Sequence, residues 1–298
     1  MNNKSFIYIS LLVDLIIAAF KFIAAAFTGS SSMVSEGIHS VIDAISQVML
    51  IWGIKTSKRS PDSLRPFGYG KELYFWSLIV SLVIFIMGGC ISFYEGVVRL
   101  NNPQPRGNPN WNYAILAVAF IFNMISMIAA FRAFNQQRGR TGFWKAVIIT
   151  KDPSTIIVLL GDFGDLFGLM IAFLGIYLGR VLNNPYYDGI ASMVIGIMLI
   201  IISGILVRES KSLLMGETIS RSKLRQIVKL VEADEEVIKV KKHFSTYMAP
   251  EEVLLQLTTV FKPGLNTAQI TGAIERLTKT LQNKFPRIKQ VFIEPVAG

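Results

Sequence analysis

The sequence predicts an all-α membrane bundle of six transmembrane helices followed by a small α+β soluble domain. Two observations predict it. Apolar stretches at about 6–29, 33–54, 73–100, 112–134, 153–178 and 188–207 each reach the roughly 20 residues a membrane-crossing helix needs. Charge is scarce and unevenly spread. Only 17% of the 298 residues are charged and 52% are hydrophobic, with mean hydropathy +0.47, whereas soluble domains carry about 25% charged residues. The shortage ends near residue 207, so the expected division is 1–207 in the membrane and 208–298 in water.

The net charge of +10 does not point to nucleic acid, because of where the charge falls. Lys55, Lys58, Arg59, Arg65 and Lys71 occupy one short loop, and Arg132, Arg138, Arg140, Lys145 and Lys151 another. Basic residues in short loops beside apolar spans mark the cytoplasmic face. Six spans put both termini on one side, and these loops join spans two to three and four to five on that same side. The expectation is a multi-pass protein of the cell (inner) membrane with both termini cytoplasmic and no nucleic-acid partner. The single cysteine, Cys90, excludes an internal disulfide and reads as a small packed hydrophobe.

Span one carries Asp14 and Lys21, which a signal-peptide core would not tolerate. They are seven apart and share a face, so they either pair or point into the bundle. A role in ion passage stays open. Span two contains Ser35-Glu36-Gly37-Ile38-His39-Ser40-Val41-Ile42-Asp43. Its polar residues Glu36, His39, Ser40, Asp43 and Gln47 recur every three to four positions and draw one polar stripe. Such a stripe faces a bundle interior or a watery cavity. Gly88-Gly89 in span three predicts close helix packing.

In span five, Asp152 followed by Pro153 is a strong helix start. Asp162 and Asp165 lie three apart on one face, and Gly161, Gly164 and Gly168 are expected to admit a neighbouring helix. A carboxylate at the bilayer centre costs roughly 2.5 to 3.5 kcal/mol, so several of them imply a use. His39, Asp43, Asp162 and Asp165 bring one imidazole and three carboxylates from two helices, a donor set that suits a divalent metal.

Residues 208–298 alternate helix and strand. Helices are expected at 221–233 and 267–285, the second capped at Asn266 or Thr267, with strands at 237–244, 253–260 and 290–294. That order reads as an α+β layer with helices on one sheet face.

The span-two motif, Arg65-Pro66-Phe67-Gly68-Tyr69-Gly70-Lys71-Glu72, Asp162 with Gly168, and Phe292-Ile293-Glu294-Pro295 together resemble the cation diffusion facilitator family. The resemblance implies a ferredoxin-like cytoplasmic domain, a homodimer, and proton-coupled export of a divalent metal from the cytosol. Zinc comes first, with manganese, iron or cobalt admitted by an oxygen-rich site. It also implies a transport site of two i, i+4 pairs. His39 and Asp43 match the first pair and Asp162 the second half of the other, whose first position is Val158 here. A branch of the family also lacks that histidine, but reads glutamate where this chain has Gly161. Asp165 or water is the expected substitute, and Val158→His is expected to favour zinc if that position faces the site.

The family's loop site is reduced to Asp62, and its cytoplasmic-domain sites to His243, so no strong metal site is expected in 208–298. Glu36 and Gln47 read as pore-lining or ligand-supporting groups. A membrane metal sensor or scaffold that transports nothing is the rival reading. No organic cofactor is expected, and neither is an enzyme. Gly68-Tyr69-Gly70-Lys71 lacks the glycine spacing and the following Ser or Thr of a phosphate loop.

Overall fold

The computed structural model describes residues 5–28, 31–102, 109–138, 142, 151–184 and 186–296; side chains within 5–6, 24–25, 27–28, 31–39, 109–112, 115 and 137–138 are excepted. The described chain forms two compact units. One holds residues up to Thr56 and Glu72–Lys211; the other holds Ser57–Lys71 and the chain from Ser212.

The first unit is helical: α1 (Ser5–Thr28), α2 (Ser31–Ser57), α3 (Glu72–Asn101), α4 (Pro109–Arg138), α5 (Pro153–Val181) and α6 (Tyr186–Met215). Among the described residues, four stretches are long and apolar enough to cross a membrane: Glu72–Asn101, Leu116–Gln136, Pro153–Val181 and Tyr186–Met215. Helix α5 starts as its sequence requires. The Asp152 side chain accepts from the Ser154 backbone N–H at 3.2 Å, and Pro153 fills the first turn. Helix α6 continues past Val207, where the apolar window ends, because charge stops burial in lipid without breaking a helix. Glu209 there meets Lys151 at 3.7 Å.

Helix α3 is interrupted by a π-helical stretch, Ile84–Cys90, after which the Ile91 N–H reaches back to the Ile86 carbonyl. One sequence expectation is corrected nearby, and another is met in part. Cys90 is exposed rather than packed. Gly88 and Gly89 take the buried face, so the next residue on the winding points outward. The close helix contacts fall partly where the glycines predict: a Cβ on Gly89 would sit 2.6 Å from Ile200 Cγ1 and 3.1 Å from the Ile200 nitrogen of α6, and one on Gly164 would sit 3.2 Å from Ile202 Cδ1. Around Gly161 nothing comes within 4 Å of a built Cβ, and Gly168 has only Ile195 Cγ2 at 3.7 Å. The tight seam runs between α3 and α6. A Cβ on Gly96 would sit 2.7 Å from the Met193 nitrogen, and one on Gly196 would sit 2.5 Å from the Phe93 nitrogen. Arg99 in the last turn of α3 closes the seam on Asp188 in the first turn of α6 at 2.7 Å. Each charge there complements its own helix dipole.

The second unit holds α7 (Arg221–Glu232), β1 (Val237–Ala249), β2 (Glu252–Phe261), α8 (Thr267–Lys284) and β3 (Ile288–Val296). The sheet order is β1-β2-β3, with β1 antiparallel and β3 parallel to β2. Leu255 and Leu257 from β2, Ile227 and Val231 from α7, and Leu277 and Leu281 from α8 build its core. Asn266 caps α8 in a reciprocal capping box with Gln269.

Arg276 on α8 grips the turn before β1. It donates to both carboxylate oxygens of Asp234, at 3.0 and 2.8 Å, and to Glu236 at 2.9 Å. Burial opposes ionisation of Asp234, but the Arg276 and Glu236 N–H donors outweigh it and hold its pKa below the ordinary carboxylate value. A lowered folded-state pKa means stability that is present above pH 4 and lost as acid protonates the native carboxylate. Arg276→Ala is therefore expected to lower the melting temperature of this unit at pH 7, and its effect to shrink as pH falls through the lowered Asp234 pKa, as followed by sheet circular dichroism.

The loop 57–71 belongs to the same unit. Asp62 organises it: one carboxylate oxygen accepts from the Leu64 and Arg65 backbone N–H groups at 3.0 and 2.7 Å, and the other from the Tyr69 hydroxyl at 2.5 Å. The Arg65 guanidinium lies 4.6 Å from the Tyr69 ring centre. Of these bonds, the one from Tyr69 does most to lower the Asp62 pKa. Asp62→Ala is expected to raise protease cleavage within 57–71 several-fold. Wild type should show the same sensitivity only below the usual carboxylate range.

Candidate metal centre

A helix face must be polar on several elements at once to build a site inside an apolar bundle. Here α1, α2, α4 and α5 each supply such a face. On α5, Asp162 is 5% exposed. Its Oδ2 accepts from Ser126 Oγ of α4 at 2.7 Å, and its Oδ1 from Ser10 Oγ of α1 at 3.4 Å. Ser10 Oγ in turn accepts from Gln47 Nε2 of α2 at 3.1 Å. One hydrogen-bonded chain thus joins four helices through the carboxylate. A buried carboxylate left without such donors would cost far more than it returns.

Beside this chain lies a cavity of about 40 Å³. Its wall includes Asp14, Asp43, Ser46, Gln47, Asp162 and Asp165, with apolar sides from Leu50, Val80, Ile157 and Leu206. A buried water needs roughly 10–15 Å³ of such space, so the cavity admits a few waters or one partly dehydrated ion. Ile84 and Gly88 of the π-helical stretch also line it, and π-turns inside α-helices are frequent at functional sites. Gly161 opens into the same space.

Three of the four expected ligands, Asp43, Asp162 and Asp165, therefore share one cavity wall. The side chain of His39 lies outside the described residues, as does that of Glu36. Among the described residues, no three His, Cys, Asp or Glu side chains are gathered tightly enough to hold an ion by themselves. Val158 is 1% exposed and packs with Ile7, Ala130 and Phe134 rather than lining the cavity. The condition for a zinc-favouring Val158→His is thus absent, and that substitution is expected to cost stability instead. Lys21 donates to Ser40 Oγ at 2.9 Å, both residues being buried.

Sequence reasoning missed Ser10, Ser46 and Ser126, and left Asp14 open. A faint signal existed. Ser10 precedes Asp14 by four residues and so lies on its face of α1. Ser126 stands three residues after Asn123, and both are buried.

A family model described as the cation efflux transmembrane domain matches residues 7–215. The chain is 30% identical, over an alignment of 317 residues, to the Homo sapiens protein named proton-coupled zinc antiporter SLC30A9, mitochondrial; the match takes in 92% of this chain and 55% of that protein. With the Mus musculus protein of the same name it is 36% identical over 221 residues, 73% of this chain and 39% of the relative. With the manganese efflux system protein MneP of Bacillus subtilis (strain 168) it is 26% identical over 223 residues, 71% and 68% of the two chains. The chain spans about half the length, or less, of these mammalian relatives.

Proposed function

This chain belongs to the cation diffusion facilitator family, and we propose that it exports a divalent metal ion from the cytosol in exchange for protons. It is an integral membrane protein and not an enzyme. The single observation that supports the transport reading most is the gathering of four carboxylates around one small cavity inside an apolar helical unit.

On this reading Asp43, Asp162 and Asp165 replace the water of the ion, and His39 supplies a nitrogen donor. Carboxylates and imidazole bind metal in their deprotonated forms, so metal and protons compete for one site. An inward proton gradient then drives metal out. The hydrogen bonds from Ser126 and Ser10 keep Asp162 oriented while its cargo exchanges. Zinc is the favoured cargo, in keeping with the names of the human and mouse relatives; the oxygen-rich wall also suits manganese, the metal in the name of the Bacillus relative.

Six membrane crossings, cytoplasmic termini, a ferredoxin-like fold for residues 208–298 and a homodimer held by that domain complete the proposal. The membrane we assign is the cell (inner) membrane; a mitochondrial membrane, after the relatives' names, is the alternative that cell fractionation decides.

The experiment is flux. Purified protein in lipid vesicles with an imposed pH gradient is expected to move zinc or manganese against its gradient and to acidify or alkalinise the lumen in step. Metal binding without flux would favour the sensor or scaffold reading.

A further inference from the structure

One wall of the cavity belongs to neither metal-bearing helix. Asp14 of α1 is 7% exposed and lines the cavity with Asp43, Asp162 and Asp165. The next two residues that line it on α2 after Asp43 are Ser46 and Gln47. Ser46 is 5% exposed, and its Oγ has no hydrogen-bond partner among the described residues; Gln47 Oε1 is likewise buried and unpartnered. The amide of Gln47 is anchored through its nitrogen. Ser10 Oγ gives its only proton to Asp162 and so must accept from Gln47 Nε2. Oε1 is thereby left with nothing to accept from, on a residue that lines the cavity. Buried oxygens without donors are unfavourable unless a cation or an ordered water joins them.

We propose that Asp14 and Gln47 are ligands of the transported ion, with the Asp14 carboxylate and Gln47 Oε1 coordinating it directly and Ser46 Oγ bonding a water it retains. The inference rests on the cavity being the transport site. Its consequence is a site drawn from three helices, α1, α2 and α5, and dominated by oxygen. This also accounts for Val158: with α1 and Gln47 contributing donors, the position four residues before Asp162 is released to apolar packing. These added oxygen donors widen the site toward harder cations such as manganese, beside the zinc that the His39 nitrogen favours.

The experiment is equilibrium titration of the full-length protein in detergent with manganese(II) chloride and, separately, zinc chloride. Four variants are compared: Asp14→Asn, Gln47→Leu, Asp14→His and Asp43→Ala. Asp14→Asn is expected to weaken manganese binding at least tenfold, and Gln47→Leu about fivefold. Asp14→His is expected to shift the manganese-to-zinc preference at least tenfold toward zinc, a gain that misfolding cannot produce. If Asp43→Ala loses binding while Asp14→Asn, Gln47→Leu and Asp14→His match wild type, the three-helix site is wrong and the transport reading stands. If Asp43→Ala also binds like wild type, the cavity is not the metal site and both fall.

Discussion

Asp162→Ala will reduce pH-driven metal flux at least a hundredfold, to the level of empty vesicles. Losing a group that merely supports a metal ligand already costs about 10–100-fold in affinity or activity, so losing the ligand itself costs at least that much. The carboxylate sits at the crossing of bonds from α1 and α4, so its loss takes away a ligand and leaves Ser10 and Ser126 without their acceptor. A graded series follows. Ser126→Ala removes one 2.7 Å bond to the carboxylate. A hydrogen bond to a charged group is worth about 1.5–3 kcal/mol, so flux should fall roughly tenfold or somewhat more. Ser10→Ala, with its longer 3.4 Å bond, should fall less. Equal flux in wild type and Asp162→Ala would remove the site. Equal losses in all three would mean that the helices come apart rather than that a ligand is lost. Initial rates in vesicles, normalised to protein incorporated, check the order.

Gly196→Ala will cause the largest loss of stability among single methyl additions to the helices. A Cβ there lies 2.5 Å from the Phe93 nitrogen and 2.8 Å from its Cα. No rotamer change relieves a clash with backbone, so α3 and α6 must separate along their seam. Overpacking of this kind costs about 1–3 kcal/mol and occasionally more. Gly204→Ala is the matched control on the same helix, since nothing lies within 4 Å of its Cβ. It should be neutral or stabilising by about 0.5–1 kcal/mol, because alanine is the better helix former. Thermal aggregation in detergent should show Gly196→Ala melting several degrees below wild type and Gly204→Ala at or above it.

What the sequence made legible was whatever is local. Asp152 before Pro153 announced the start of α5, and Asn266 with Gln269 the start of α8, because caps are settled by a few neighbouring residues. The strands of the second unit were readable for the same reason. Their β-branched and aliphatic runs stand between turn residues and caps, though β1 runs on beyond Phe244 to Ala249. The polar stripe on α2 was visible too, and Asp43, Ser46 and Gln47 on that helix do line the cavity.

What depends on which helix lies against which was not legible. Gly161, Gly164 and Gly168 share a spacing that suggests a contact face, yet only Gly164 comes near α6; the tightest approach runs along Gly89, Gly96 and Gly196, of which the sequence marked only Gly89. Val158 sits one helical turn from Asp162, and only its packing partners turn it from a candidate ligand position into core. Asp14 and Lys21 share a face on an ideal helix. The structure sends one to the cavity and the other to Ser40, about one turn before Asp43 on α2, a placement fixed by which part of α2 lies against each turn of α1.

The most direct measurement is the position of the ion itself. Crystals of the full-length protein soaked in manganese, or in zinc, give an anomalous difference map that marks the metal without reference to any side-chain assignment. A single strong peak in the cavity between Asp43, Asp162 and Asp165, with Asp14 and Gln47 within bonding distance, is the predicted result. A peak elsewhere, with this cavity holding only water at saturating metal, would contradict it.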